Sequence, residues 1–377
     1  MKAMILAAGK GTRVRPLTYE MPKPMVPILG KPVMEYLVEE LARHGVDEIM
    51  VNVSHLPDQI EHYFGDGRRW GVNIGYSFEG YISDDGDIVA MPVGSAGGIK
   101  RIQDFSGFFD DTFIVVCGDA LIDLDLTKAV RRHWQTRAVA SLCVHKVPQS
   151  RVSNYGVVVS DADGRIQSFQ EKPTMAEARS NLVNTGIYIF EPEVIDLIPS
   201  EQDYDIGAEL FPRIVERGLP FHAIHEPFNW IDIGRLSDYW EANQQLMQGK
   251  LRDIRMPGKE VQPGIWTGLN VRVDWSNVHI EGPVYIGSSS LIEAGAEIVG
   301  PTWIGHGCHV EGGASISRSI LFEHTHIGSA GRVRDHVVFG RYCVDKDGKP
   351  ADDTKGEIDW VGDARARNRQ GRISAIS

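Results

Sequence analysis

Residues 1–24 read MKAMILAAGKGTRVRPLTYEMPKP, and the reading of this stretch decides the fold. Met4, Ile5, Leu6, Ala7 and Ala8 form a short apolar run that fits a strand buried in a parallel sheet. Gly9 and Gly11 then let the chain turn sharply and bring backbone N–H groups near a ligand, while Lys10, Arg13, Arg15 and Lys23 put positive charge at the same spot. Such a loop can wrap a phosphate. Two common nucleotide motifs do not fit: a Walker A loop needs Ser or Thr after Gly-Lys, where Gly11 stands, and the dinucleotide fingerprint needs a glycine where Val14 stands. A basic surface loop after a first strand would explain any two of these residues, but not the whole pattern.

A chain of 377 residues is expected to form about two domains. Its 42% hydrophobic content marks it as globular, and the net charge of −12 argues against nucleic acid or an anionic membrane as the main partner. Residues 1–31 nevertheless carry six basic side chains against one acidic, Glu20, so positive charge is concentrated where a small polyanion would sit. Cys117, Cys143, Cys308 and Cys343 lie far apart without a C-x-x-C, against both zinc and a disulfide framework. With no signal-type segment and no long apolar run, a soluble cytoplasmic protein is expected.

Along the chain, Pro32 opens a helix whose Val33, Leu37, Val38 and Leu41 share a face, and Gly45 ends it. Residues 48–53 follow as a strand, 57–64 as a helix and 73–78 as a third strand, an alternation that implies a doubly wound, mostly parallel α/β sheet. Gly80 to Ser95 reads as a mobile loop, with a helix starting at Ile99; residues 112–117 form a continuous apolar strand that Gly118 and Asp119 end. In an open α/β sheet ligands collect at the carboxyl ends of the strands, so Asp119 belongs at the edge of the basic loop. A carboxylate beside phosphates is repulsive unless a cation lies between, which makes Mg²⁺ the economical cofactor. Further strands are expected over 138–146, 156–160, 165–170 and 221–226, with helices over 209–218 and 235–248.

AAGKGTRVRPLT followed by PKPMVPILGKP resembles the signature of the sugar-1-phosphate nucleotidyltransferases, the nucleotide-diphosphate-sugar pyrophosphorylases. That resemblance implies a nucleotide site at Leu6, Ala7, Ala8, Gly9, Gly11, Thr12 and Arg13, with Gly94 and Ser95 facing the base. It implies a sugar-phosphate site at Gly156, Glu171, Lys172, Asn184 and Thr185, carried by Tyr155-Gly156, Glu171-Lys172-Pro173 and Asn184-Thr185-Gly186. Arg13 would steady the leaving end of the triphosphate, Lys23 would bridge the reacting phosphates, and Asp119 and Asp232 would hold the metal. Trp230 reads as core packing rather than ligand stacking.

From Ile280 the pattern changes: Ile280, Ile286, Ile292, Ile298, Ile304, Val310 and Ile316 recur every six residues, the period of a left-handed parallel β-helix. The repeat shifts after Ile316 and resumes at Ile327, Val333 and Phe339, suggesting a protruding turn near Glu323 to His326. The domain plan is therefore a catalytic segment 1–245, a linker 246–262, a β-helix 263–342 and a polar tail 343–377 with a short helix near Trp360. Relatives of this architecture sometimes carry an acyltransferase with a histidine base, and His306, His309, His324, His326 and His336 allow one; about four or five coils is short for that, so an oligomerisation or spacer role is preferred, with a homo-oligomer expected.

The reaction the resemblance implies joins a nucleoside triphosphate to a sugar 1-phosphate and releases pyrophosphate. VCGDALIDLDL, FQEKP, NTGIYIFEPEVID and VFGRYCVDK look most like cyanobacterial-type UDP-glucose pyrophosphorylases, so UTP and glucose 1-phosphate come first. GTP with mannose 1-phosphate, or dTTP with glucose 1-phosphate, come next. A regulatory or scaffold subunit that kept the fold and lost the chemistry is the alternative of another class.

Overall fold

The computed structural model describes residues 1–251, 254–351 and 360–366. By compactness the chain divides into two units: Met1–Gly11, Met21–Val26 and Pro32–Asp232 form the first, while Thr12–Glu20, Pro27–Lys31 and the chain from Ile233 onward form the second.

The first unit is built on a nine-stranded mixed sheet. Four strands run parallel in the spatial order Asn73–Phe78, Glu48–Val53, Lys2–Leu6, Phe113–Cys117. Leu182–Phe190 joins Phe113–Cys117 antiparallel and carries the remainder, Val157–Ser160, Ile166–Gln170, Ala140–Lys146 and Phe221–Ile224. The first strand shows why the sheet needs cover on both sides. Ala3 and Ile5 enter one core cluster with Leu37, Val38 and Leu41 of helix Val33–Arg43, and Met4 enters another with Ile99 and Ile102 of helix Ser95–Ser106. An apolar run without alternation is what a strand covered on both faces requires.

Three expectations are revised in this unit. The supposed loop from Gly80 to Ser95 contains a hairpin, Gly80–Ile82 against Ile88–Ala90. The helix after it begins at Ser95 rather than Ile99, and Gly98 lies inside it because a Cβ there would stand 2.6 Å from Glu79 Oε1. Near residue 209 a π turn, Ile206–Leu210, precedes the short helix Phe211–Glu216.

In the second unit, helix Leu236–Met247 packs with the coil rather than ending the first unit. Its Trp240 Nε1–H donates to the Arg318 carbonyl at 2.8 Å, and its Tyr239 O–H to the Pro27 carbonyl at 2.9 Å. Three sheets then wind as a β-helix. Ile286, Ile304, Leu321 and Val338 stack in one sheet, Ile292, Val310 and Ile327 in the second, Ile298, Ile316 and Val333 in the third, and all are buried. Ile304 follows Ile286 by eighteen residues, whereas Leu321 follows Ile304 by seventeen. One residue is lost at a corner, where Gly300-Pro301 gives way to Arg318 alone. That loss, and no protruding turn at 323–326, explains the break in the repeat; the corner is equally short in the next coil, between Arg334 and Val337, so the inward residue is Val338 instead of Phe339.

Within the expected linker, Lys259–Gln262 is already a strand, paired antiparallel to Ile265–Thr267. Trp360 leads into the strand Val361–Asp363, which pairs antiparallel to Thr325–Ile327, and among the described residues after it 364–366 are helical. The rest of the expected polar tail, 352–359 and 367–377, lies outside the described residues.

Candidate active site

From Lys2–Leu6 the parallel strands proceed outward on one side as Glu48–Val53 and Asn73–Phe78, and the next parallel strand, Phe113–Cys117, is laid on the other side of Lys2–Leu6. Strand order therefore reverses at Lys2–Leu6, and the carboxyl edge of that reversal is where α/β sheets hold ligands. Register puts Leu6 level with Asn52 on one side and Cys117 on the other. Immediately above this row lies a cavity of about 280 Å³.

Leu6, Ala7, Ala8 and Gly9 line the cavity together with Gly94, Ser95, Lys23 and Asp119. Chain neighbours aside, none of the described residues stands within 4 Å of where a Cβ of Gly9 would be, so that space is open beside the loop. The N–H groups of Ala8 and Gly9 have no acceptor among the described residues. Ala7 is different, because its N–H is taken by Asn52 Oδ1 at 2.8 Å. Its backbone N–H is committed to the fold and does not read a base. Ser95 is also engaged: its hydroxyl donates to Asp205 Oδ2 and accepts the Ile206 N–H, both at 2.8 Å.

Gly118 allows the acid to reach the site. Its N–H donates to the Leu6 carbonyl at 2.9 Å, and a Cβ would stand 2.9 Å from that oxygen. Asp119 follows, and Lys23, delivered by the turn Lys23–Met25, donates to its Oδ2. Strand Ala120–Ile122 pairs antiparallel to Trp230–Asp232, with Ala120 opposite Asp232. The second acid thus arrives from over a hundred residues away, one position from the first. Electrostatics report the same convergence: the Cys117 thiol is pushed far up, by burial first and then by Asp119 and Asp232, with Lys23 opposing. Two hard carboxylate donors, with a lysine holding one of them, suit an ion that takes one or two protein carboxylates and fills its shell with phosphate and water. Among the described residues no group of three potential metal ligands exists, so any ion there depends on substrate oxygens.

Thr12 and Arg13 are exposed in the turn Thr12–Val14, which belongs to the second unit, and neither they nor Gly11 line the cavity.

On the sugar side, Asn184 holds its own loop. Its Oδ1 accepts the Gly186 N–H at 2.8 Å, and its Nδ2 donates to the Tyr188 hydroxyl at 3.1 Å. Gly186, at φ +74°, stands against Cys117, where a Cβ would come within 2.6 Å of the sulfur. Glu171 and Lys172 are exposed and paired at 2.5 Å, with Lys172 in the left-handed region at φ +42°, an uncommon conformation for a side chain of its size. Thr185 does not join them: it is buried and its hydroxyl donates to the Cys143 carbonyl at 2.6 Å. Gly156 is a glycine for packing, since a Cβ would meet the Phe169 ring at 2.3 Å, and its carbonyl accepts the Asn184 N–H.

Three residues were missed from the sequence. Asn52 and Glu79 line the cavity, buried to 2% and 1% exposure. Burial pushes the Glu79 carboxyl up, and the N–H donors of Asn52 and Val93 only partly offset it. Asp205 joins the two sides: besides Ser95 it accepts the N–H groups of Gly207 and Ala208. Asn52 left a visible signal, an amide in an otherwise apolar strand stretch; Glu79 and Asp205 left none.

Residues 2–249 match the family described as nucleotidyl transferase. The chain is 57% identical over 366 residues to a UTP–glucose-1-phosphate uridylyltransferase of Synechocystis sp., covering 97% of this chain and 94% of that protein. It is 30% identical over 297 residues to a mannose-1-phosphate guanylyltransferase of Mycobacterium tuberculosis, covering 78% and 76%. Among solved structures, a putative glucose-1-phosphate thymidylyltransferase from Bacillus anthracis superimposes with a TM-score of 0.56 at 25% identity, covering 69% of this chain and 98% of that one. A glycine loop at a strand reversal, a lysine bonded to one acid and a second acid paired beside it form the setting for phosphoryl chemistry, and with these matches the chain belongs to the nucleotidyl transferase family.

Proposed function

We propose that the protein joins UTP to glucose 1-phosphate, forming UDP-glucose and pyrophosphate. The observation that carries the substrate choice is the near full-length, 57% identity to a relative named for that reaction. Arrangement of the cleft supports the reaction class. The nucleophile is a phosphate oxygen already ionised at neutral pH, so the task is to bring two anions together and not to remove a proton. Ala8 and Gly9 present N–H groups to the nucleotide. Lys23 supplies a positive charge between the reacting phosphates, and Arg13 meets the departing pyrophosphate. Asp119 and Asp232 would hold Mg²⁺, which supplies charge neutralisation on the α-phosphate when bound. Glu171 and Asn184 accept and donate to sugar hydroxyls, and Lys172 meets the sugar phosphate. Transfer needs the attacking oxygen in line with the leaving group, and orientation of that kind contributes much of the rate.

The test is a panel of the four ribonucleoside triphosphates and dTTP against glucose 1-phosphate and mannose 1-phosphate with Mg²⁺, read by pyrophosphate release. UTP with glucose 1-phosphate is expected to give the highest kcat/KM. A higher value for GTP with mannose 1-phosphate would replace the substrate assignment, and no turnover with any pair would point to a silent subunit.

A further inference from the structure

Beneath the cleft lies a buried polar pair that the transfer chemistry does not use. Asn52 stands one residue before the end of its strand, level with Leu6; its Oδ1 accepts the Ala7 N–H and its Nδ2 donates to Glu79 Oε1, each at 2.8 Å. The other carboxylate oxygen of Glu79 accepts the Val93 N–H at 3.2 Å. Glu79 is itself pinned, its carbonyl accepting from Ser54 Oγ–H at 2.7 Å and from the Met91 N–H at 3.0 Å. One amide and one carboxylate therefore span from the loop at Ala7–Gly9 to the residue directly before Gly94 and Ser95.

The chain makes room for this pair at a cost to helix propensity. A Cβ on Gly98 would stand 2.6 Å from Glu79 Oε1 and 3.0 Å from Asn52 Nδ2, so a glycine is kept in the first turns of a helix. The amide has only one workable orientation: turned over, it would set N–H₂ against the Ala7 N–H and oxygen against carboxylate. A carboxyl offers an acceptor oxygen to each side, as Glu79 does, where a glutamine would offer only one, and an acid is retained here although burial opposes its charge.

We propose that Asn52 is a positioning residue for the nucleotide: acting with Glu79, it fixes the separation of the two cleft walls, Ala7–Gly9 and Val93–Ser95. It sets the affinity for the nucleoside triphosphate, and not the rate of transfer. The inference rests on the reading above only in that the triphosphate occupies this cleft.

Two substitutions in the full chain test it. Asn52→Ala leaves the Ala7 N–H and a carboxylate oxygen unpartnered in a buried place. Asn52→Asp keeps the acceptor for Ala7 but sets a second carboxylate at hydrogen-bond distance from Glu79. A pair of acids at that distance shares one proton when the medium is acidic enough and repels once both are ionised. The other charges that act on Glu79 are Arg101 on helix Ser95–Ser106 and Asp203 on the segment before the π turn, and Lys23 and Asp119 face it across the cavity. All are unchanged between the two variants.

UTP binding is measured by calorimetry with Mg²⁺, and turnover by initial rates, from about pH 6 to 8.5. Asn52→Ala is expected to raise both Kd and KM for UTP about tenfold, with kcat and the KM for glucose 1-phosphate within about threefold of the parent. Asn52→Asp is expected to bind UTP nearly as the parent does at the acid end and to weaken steadily with rising pH. Equal losses for both substrates with a pH-flat Asn52→Asp would show a merely structural role and overturn the proposal, as would an unchanged UTP Kd in a folded Asn52→Ala. Should the parent bind UTP yet make no UDP-glucose, the reaction assignment falls while the Kd ratios still decide the role of Asn52.

Discussion

Lys23 is bonded to Asp119, which sets up a competition that substitutions can expose. The ammonium and a divalent ion both seek the same carboxylate, so Lys23 has two separable effects: it stabilises charge in the transition state, and it weakens metal binding at rest. Lys23→Ala is therefore expected to lower kcat on the order of 10²-fold, by analogy with the loss of a charge-stabilising donor, while lowering the Mg²⁺ concentration for half activity. Asp119→Asn and Asp232→Asn should lower kcat and raise that concentration. Mg²⁺ titrations of the three variants check this; a Lys23→Ala enzyme needing more Mg²⁺ would contradict the competition. At this scale the sequence disclosed the residues whose chemistry is unusual for their place: glycines, clustered cations and an acid at a strand end. It did not disclose what each side chain touches. Thr185 read as a ligand residue yet turns its hydroxyl to Cys143, and Gly156 read as a place for ligand approach yet is filled by Phe169. Both follow from contacts between distant parts of the chain that no local pattern encodes.

Elements were legible where one physical period dominated. The six-residue repeat identified the coil because only inward aliphatic residues keep that spacing, and the reading failed where a corner lost a residue, between Ser317 and Ile320 and again between Arg334 and Val337. Deleting a buried methylene-rich side chain inside the coil should be costly, since the stacked neighbours cannot all move in. Ile304→Ala, fully buried between Ile286 and Leu321, is expected to destabilise the second unit by about 2–5 kcal/mol, measured by denaturant unfolding. Helix Leu126–Thr136 carries a different liability. His133 on it is fully buried, with Nδ1 2.8 Å from Ser141 Oγ and Nε2 3.0 Å from Glu191 Oε1. Burial holds its pKa below the ordinary value, against the opposing pull of Glu191. Between the folded and unfolded values the unfolded chain binds more protons, so stability is complete above about pH 6.5 and is lost as pH falls below it. His145, His222 and His225 are shifted in the same direction, while buried Glu40 and Glu79 are shifted up and pull the other way. The decisive comparison is thus between the parent and His133→Gln: the parent should lose more melting temperature between about pH 7.5 and 5.5 than the variant does.

For the whole molecule, chain order and compactness disagree, and the disagreement has a consequence. The second unit is not simply the carboxyl-terminal part of the chain, because it includes Thr12–Glu20 and Pro27–Lys31 from inside the glycine-loop region. Within that unit, Val14, Leu17 and Ile28 are fully buried, Tyr239 donates to the Pro27 carbonyl, Tyr19 lies 6.3 Å from Tyr342 ring to ring, and a Cβ on Gly30 would meet Trp303 at 3.2 Å. The segments that carry Arg13 and flank Lys23 are thus held by residues more than two hundred positions later. A sequence reading places a domain boundary where composition changes, near residue 245, and has no means of seeing two short stretches leave one core for another. It follows that a chain ending at residue 245 keeps every proposed catalytic residue and loses much of what orders two of them. That truncation is expected to expose Leu17 and Ile28, to aggregate or bind a hydrophobic dye, and to retain less than about 1% of kcat/KM for UTP, since misplacement of reacting groups by an ångström costs on the order of 10²-fold. Activity assays and dye binding on the purified 1–245 chain check it. A monodisperse truncation with near-parental turnover would mean that the glycine-loop region orders itself without the coil.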